Sequence, residues 1–167
     1  MGEVVPLSDE RVAMVTVAES GEPLVDLREL GLFRLDPHRM GTVEAAAQLR
    51  AGVADRLAAA QTLLPRGLRL LVLRGYRPPI AGPTPELVAH STGAAVDLSL
   101  CREDGHDLLS FASTEESAHR LVLGNALTAV GMVNPPVAWW HWSYGDRYWA
   151  FIVGRAAARY GAVHPPQ

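Results

Sequence analysis

The stretch His90-Ser91-Thr92-Gly93-Ala94-Ala95-Val96-Asp97 places a histidine seven residues before an aspartate. From Gly93 to Leu100 the residues alternate along the chain, with Ala94, Val96, Leu98 and Leu100 facing one way and Ala95, Asp97 and Ser99 the other. This alternation predicts a strand with Asp97 on one face. A second histidine, His141, lies in the segment Ala138-Trp139-Trp140-His141-Trp142. Gly93 lets the backbone turn tightly between His90 and the strand. His90 and Asp97 can therefore converge, and His141 can join them from a neighbouring strand.

Two histidines and one aspartate are residue types that bind zinc through imidazole nitrogen and carboxylate oxygen. Three protein ligands leave a fourth position for water or substrate, which is the arrangement of catalytic zinc sites. The alternative is that His90 and His141 are core or surface histidines and that Asp97 ends a strand. The residue types and their spacing in both segments favour a site for one Zn²⁺ per chain.

The composition is that of a globular protein, with 167 residues, 49% apolar residues and a net charge of -3. This length predicts a single domain over residues 1–167. The mild acidity gives no support to nucleic-acid binding. All 15 basic residues are arginines, which excludes a lysine Schiff base and a P-loop lysine. Cys101 is the single cysteine, which excludes an intrachain disulfide and a thiolate zinc cluster.

The sequence also bears on location. Residues 1–5 lack a basic segment followed by an apolar run, so no signal peptide is predicted. The uncharged run from Leu121 to Trp142 is broken by glycine and proline, which favours a buried helix and strand over a membrane span. We expect a cytoplasmic protein without membrane contact. The sequence leaves the oligomeric state open.

Periodicity and turn signals predict an α+β fold in one compact domain, with a mainly antiparallel sheet and flanking helices. The predicted elements are a strand over residues 11–18, a helix from Val43 to Leu64, a strand from Leu68 to Leu73, a loop from Gly75 to Thr84, a turn at Asp104-Gly105, a helix opened by a capping box at Ser113-Thr114-Glu115-Glu116 and ending near Gly131, and a closing hairpin of Val137–Trp142 and Arg147–Val153.

The motif His-x-x-Gly-x-Ala-x-Asp followed by Trp-Trp-His resembles the zinc D-alanyl-D-alanine dipeptidases and their relatives, the D,D- and L,D-peptidases. The segments Gly75-Tyr76-Arg77-Pro78, Trp139 to Trp149 and Leu24 to Arg28 are similar to further motifs of that family. The resemblance covers about residues 24–155. It implies a zinc D,D-peptidase-like fold and the hydrolysis of a small dipeptide-like substrate.

The resemblance assigns roles to particular residues of this chain. It implies that His90, Asp97 and His141 are the zinc ligands and that Arg77 steadies the oxyanion of a tetrahedral intermediate. A surface salt bridge is the alternative for Arg77. We expect Tyr76 and Trp140 to contact substrate, although packing in the core is the alternative for the tryptophan cluster.

The chain departs from the family around the expected substrate. Ala138 stands where the family has the glutamate that activates water, and a methyl group takes no proton. Glu86 and His106 are candidate substitute bases. The other departures are Val88 in place of a serine, Arg74 in place of an acidic residue, a short segment between Arg77 and His90, and a changed segment at residues 108–113.

Three functions follow from these observations. The first is a zinc hydrolase of the dipeptidase type that acts on a small amide or dipeptide-like substrate. The second is a repurposed zinc enzyme of small-molecule biosynthesis, a lyase, cyclase or isomerase that needs no water-activating glutamate. The third is a zinc-binding pseudoenzyme that senses a ligand.

Overall fold

A computed structural model describes residues 2–41, 44–109 and 117–166. Within these ranges the chain forms seven α-helices, one 3-10 helix and eight strands. In chain order they are α1 (Glu10–Ala13), β1 (Thr16–Val17), β2 (Leu24–Asp26), α2 (Leu27–Leu30), β3 (Arg34–Leu35), α3 (Pro37–Met40), the 3-10 helix (Glu44–Ala47), β4 (Gln48–Arg50), α4 (Ala51–Thr62), β5 (Leu68–Arg74), α5 (Pro85–His90), β6 (Ala95–Arg102), α6 (Ser117–Ala129), β7 (His141–Ser143), α7 (Arg147–Val153) and β8 (Ala157–Ala158).

The main sheet has the strand order β3-β5-β6-β7. Its pairs β5–β6 and β6–β7 are antiparallel, whereas β3 runs parallel to β5. Two small sheets join β2 with β4 in antiparallel fashion and β1 with β8 in parallel fashion. The α+β class is confirmed, and antiparallel pairing predominates in the main sheet as predicted. The sheets are nevertheless mixed, because the short strands β3 and β1 pair in parallel with strands distant along the chain.

The core lies on one face of β6. Val96, Leu98 and Leu100 alternate along the strand, are fully buried, and belong to one apolar cluster with Leu57 of α4 and Leu127 of α6. Burying a leucine or valine side chain stabilises the fold by about 1.5–3 kcal/mol, so this face fixes the orientation of the strand. The opposite face of β6 therefore carries Asp97.

Several predicted elements are confirmed. The strand predicted from Leu68 is β5, and no helix or strand interrupts the described loop from Gly75 to Thr84. The turn at Asp104-Gly105 is closed by the Gly105 N–H, which donates to the Arg102 carbonyl oxygen over 2.8 Å. The second helix ends at Ala129, shortly before Gly131. Its predicted capping box, residues 113–116, lies outside the described residues. No helix in the described ranges is both long and apolar enough to cross a bilayer.

The long helix predicted from Val43 to Leu64 is wrong in its first part. Val43 lies outside the described residues, and the chain then forms the 3-10 helix and β4 before α4 begins at Ala51. Pairing with β2 decides the difference, since Leu24 stands opposite Arg50 in that ladder. Leu49 and Val53 are both fully buried, so a strand followed by a helix satisfies the same apolar spacing as one helix.

The strand predicted over residues 11–18 is wrong, because α1 occupies Glu10–Ala13 and β1 is limited to Thr16–Val17. The closing hairpin is also wrong. Residues Arg147–Val153 form α7, whose N-cap Asp146 accepts a hydrogen bond from the Trp149 N–H over 2.9 Å. The strand predicted over Val137–Trp142 is the shorter β7, and it pairs with β6.

Candidate metal centre

Three elements bring His90, Asp97 and His141 together. His90 is the last residue of α5, Asp97 lies on β6 and His141 begins β7. The register of β6 and β7 places Asp97 directly opposite His141, and directly opposed residues in an antiparallel pair share a face of the sheet. The predicted convergence of these side chains is thus observed.

The geometry fits a small divalent cation. Oδ1 of Asp97 lies 3.1 Å from Nε2 of His90 and 3.2 Å from Nδ1 of His141. The three side chains are buried, and each offers a ligand atom within 4.8 Å of the others. Zinc binds such atoms at about 2.0–2.2 Å, which separates tetrahedral neighbours by about 3.4 Å. These residues can therefore hold a metal ion.

The hydrogen-bond chemistry of the cluster calls for a cation. Nδ1 of His90 lies 2.8 Å from the Gly75 carbonyl oxygen, which only accepts, so Nδ1 carries the hydrogen. Nε2 then faces the Asp97 carboxylate either as the second N–H of a charged ring or as a lone pair, and a lone pair beside a carboxylate needs a cation between them. A metal ion there would meet Nε2 of His90, Oδ1 of Asp97 and Nδ1 of His141, while the Gly75 carbonyl would orient the His90 ring, as in many zinc sites. Nε2 of His141 is buried without a hydrogen-bond partner among the described residues, and an ion at Nδ1 would not satisfy it.

The aspartate is ionised in this setting. Burial raises the pKa of Asp97, but hydrogen bonds and charge interactions with His141 and His90 outweigh that effect and hold the pKa well below its ordinary value. An ionised carboxylate is the form that ligates metal.

Backbone geometry holds the turn between the first two ligands. Gly93 has a φ of 69°, in the left-handed region that favours glycine. An added Cβ there would collide with Cδ2 of Leu24 and come within 3.3 Å of Cγ of Arg50. The Arg50 N–H also donates to the Gly93 carbonyl oxygen over 2.8 Å. The small sheet formed by β2 and β4 therefore packs directly against the turn between His90 and Asp97.

A cavity of about 290 Å³ opens beside the ligands. Its wall brings together several residues singled out in the sequence, and it is lined by Arg74, Arg77, Thr84, Glu86, Leu87, His90, Asp97 and Trp140. Glu86 lies four residues before His90 on α5, so the two side chains share one face of that helix. Arg77, Glu86 and Trp140 are thus placed where they can meet a bound molecule.

Three other predicted residues do not line this cavity. Tyr76 is buried, and its hydroxyl donates to the Val163 carbonyl oxygen over 2.7 Å. Ala138 is buried, and its carbonyl oxygen accepts from the N–H of His141 over 2.9 Å. His106 is exposed after the turn that follows β6, and its carbonyl oxygen accepts from the Arg102 N–H over 3.1 Å. Arg102 lies five residues along β6 from Asp97, which corresponds to about 16 Å.

Two residues that shape the site are not among those predicted from the sequence to form it. Arg50 is 3% exposed, and its Nε donates to the Thr92 carbonyl oxygen over 2.8 Å, so it supports the turn after His90. The prediction of one long helix hid this role. Arg74 was noted only as a departure from the resembled family. A basic residue in place of an acidic one beside the expected site is itself a sign that the bound molecule differs in charge.

The chain matches no model of a known protein family, and no curated protein matches it.

Proposed function

We propose that this protein is a zinc-dependent hydrolase with a D,D-peptidase-like fold that acts on a small amide or dipeptide-like molecule. The observation that carries the proposal is that His90, Asp97 and His141 converge beside a cavity that Arg77 and Glu86 also line. When bound, zinc supplies Lewis acidity to such a site.

The remaining groups of the cavity suit amide hydrolysis. Arg77 offers a permanently charged donor for the oxygen on which negative charge develops. Glu86 is the carboxylate of the cavity besides Asp97, so it is placed to take a proton from the attacking water and return it to the leaving nitrogen. Trp140 forms an apolar part of the wall that can orient the substrate.

Ala138 favours a second candidate function. The resembled peptidases have a glutamate at this position, and this chain has a methyl group. A lyase, cyclase or isomerase that uses the same zinc and Arg77 needs no such glutamate. A zinc-binding pseudoenzyme is the third candidate.

The test is a substrate screen of the zinc-loaded protein against small amides, dipeptides and N-acylated amino acids, with the metal-free protein as control. Zinc-dependent release of an amine supports hydrolysis, and its loss in Glu86→Gln with normal zinc content assigns the base. Conversion without amine release identifies the second function. Ligand binding without any conversion identifies the pseudoenzyme.

A further inference from the structure

The metal cavity adjoins a second cavity, of about 340 Å³, and the two share Arg74, Arg77 and Leu87 in their walls. The rest of the second cavity is mainly apolar, with Met40, Ala46, Tyr76, Pro78 and Ile80. The three shared residues make the two cavities neighbours, and the pair is called the cleft below. A ligand long enough to pass Arg74, Arg77 and Leu87 would reach from the candidate metal ligands into an apolar compartment.

The position of Arg74 follows from an irregularity in β5. Val72 pairs with Leu98, and a regular antiparallel ladder would next place Leu73 opposite Asp97. A register shift between Val72 and Arg74 instead places Arg74 opposite Asp97. Bulges of this kind re-aim side chains beside functional sites. The strand thus presents a guanidinium, where a regular strand would present leucine, next to a metal ligand.

The wall that the two cavities share carries positive charge from Arg74 and Arg77. The Nε of Arg74 donates to the Arg39 carbonyl oxygen over 3.2 Å. Among the described residues, neither Arg74 nor Arg77 forms an ion pair with a carboxylate. Of the described residues that line the cavity, Glu86 is the one acidic residue besides Asp97, whose charge a bound metal would offset. Arg77 is sufficient to stabilise an oxyanion, so the guanidinium of Arg74 is available for another group of the ligand. A guanidinium binds a carboxylate well, because it can donate two parallel hydrogen bonds to it.

We propose that the substrate is an N-acylated amino acid, with its carboxylate on Arg74 and its apolar acyl chain in the compartment of Met40, Pro78 and Ile80. This inference rests on the proposed function and names its substrate class. Hydrolysis breaks the amide C–N bond, adds the oxygen of water to the acyl carbon and moves a proton to nitrogen. The products are a carboxylic acid and a free amino acid. A dipeptide with a free ammonium group fits this cleft less well, because its charge faces two arginines.

The test is calorimetric binding to the zinc-loaded protein, which reports on the inference whether or not turnover occurs. The probes are N-hexanoylglycine, its neutral analogue N-hexanoylglycinamide and the short-chain acid N-acetylglycine. We expect N-hexanoylglycine to bind at least about tenfold more tightly than either comparison, since one probe lacks the charge-assisted hydrogen bonds and the other lacks the buried methylenes.

Variants separate the two halves of the cleft. Arg74→Gln should abolish the preference for the acid over the amide, and Arg74→Lys should restore part of it. Ile80→Ser should reduce the preference for hexanoyl over acetyl. Arg102→Gln, which removes an exposed arginine at the far end of β6, is the matched control and should change nothing. Zinc content, measured for each variant, should stay constant.

Equal binding of acid and amide overturns the inference, as does an acid preference that survives in Arg74→Gln, because the metal alone would then capture the carboxylate. Absence of binding by all three probes also overturns it. Expected binding without hydrolysis contradicts the proposed function and leaves the recognition of the acid intact.

Discussion

The imidazole of His141 stands directly across the β6–β7 ladder from the carboxylate of Asp97, with Nδ1 3.2 Å from Oδ1. This cross-strand pair, completed by His90 from the preceding helix, supplies three ligand atoms that could hold a metal ion. Its consequences can be tested with purified protein.

His141→Ala should lower the zinc content from about one ion per chain to a small fraction, because two remaining ligands hold zinc poorly. Elemental analysis after dialysis measures this. His106→Ala is the control, since His106 is exposed and lies away from the site. Full zinc occupancy in His141→Ala would refute the ligand assignment.

Gly93→Ala should destabilise the fold by about 2–4 kcal/mol. Part of this loss comes from the left-handed backbone and part from collision of the new methyl group with Leu24. Urea unfolding measures the change. Gly105→Ala is matched, since Gly105 also has a positive φ, of 86°, but an added Cβ meets nothing within 4 Å. It should cost about 1–2 kcal/mol. Equal losses in the two variants would show that the contact with Leu24 is unimportant.

Arg50→Met should cost about 3 kcal/mol in the free energy of unfolding, because the Thr92, Glu22 and Gly161 carbonyl oxygens each lose a hydrogen bond from the buried guanidinium. Chemical denaturation measures the loss, and weaker zinc retention should accompany it. Arg28→Met removes an ion pair to Asp26 from a side chain that is 48% exposed, and it should cost less than about 1 kcal/mol. A similarly small loss of unfolding free energy in Arg50→Met would show that Arg50 does not support the turn after His90.

Arg77→Lys should leave folding and zinc content nearly unchanged while it lowers turnover of the substrate identified by screening. Lysine keeps the charge but loses the forked donor. Loss of one donor to an oxyanion costs about 3 kcal/mol in a characterised enzyme, which corresponds to a rate more than about 100-fold lower. Steady-state kinetics measure the change. Unaltered turnover, or unfolding of the variant, would return Arg77 to a structural role.

The chain should hydrolyse D-Ala-D-Ala negligibly, because the ammonium group of this dipeptide fits the cleft poorly and Ala138 offers no base. Ala138→Glu should raise that activity, since a general base contributes about 10²–10⁴-fold. Amine release measures the rate. Ala138→Gln is nearly identical in shape and carries no base, so it should remain inactive and control for disturbance at this buried position. Fast turnover by the unmodified chain would show that another group, such as Glu86, activates the water for this dipeptide.

The sequence by itself determined the three candidate ligands, because His90, Asp97 and His141 carry metal-binding groups at positions where local signals are strong. Strict alternation from Gly93 predicted the strand that holds Asp97. Gly93 itself predicted the tight turn, and its positive φ confirms this. The sequence signals for β5 and for the loop from Gly75 were equally local. The length of the apolar run suffices to recognise the strand, and the Gly and Pro content suffices to recognise the loop.

Signals for α7 were present but were outweighed. Asp146 is an N-cap and Gly154 has the left-handed conformation of a helix C-terminus, yet the aromatic residues between them favoured a strand. The capping signals were the better guide, because side-chain capping satisfies particular backbone groups, whereas aromatic residues pack equally well in either element.

The tertiary structure alone decided which residues surround the ligands. β4 exists because β2 pairs with it, and no periodicity within residues 44–64 separates that strand from the helix after it. Arg50 donates a hydrogen bond to Thr92, which lies 42 positions further along the chain. Arg74 stands opposite Asp97 in the β5–β6 ladder because a register shift in β5 displaces Leu73. Pairing and register depend on contacts between distant segments. Local sequence therefore predicts the candidate metal ligands, while the shape and charge of the cleft follow from how the strands align.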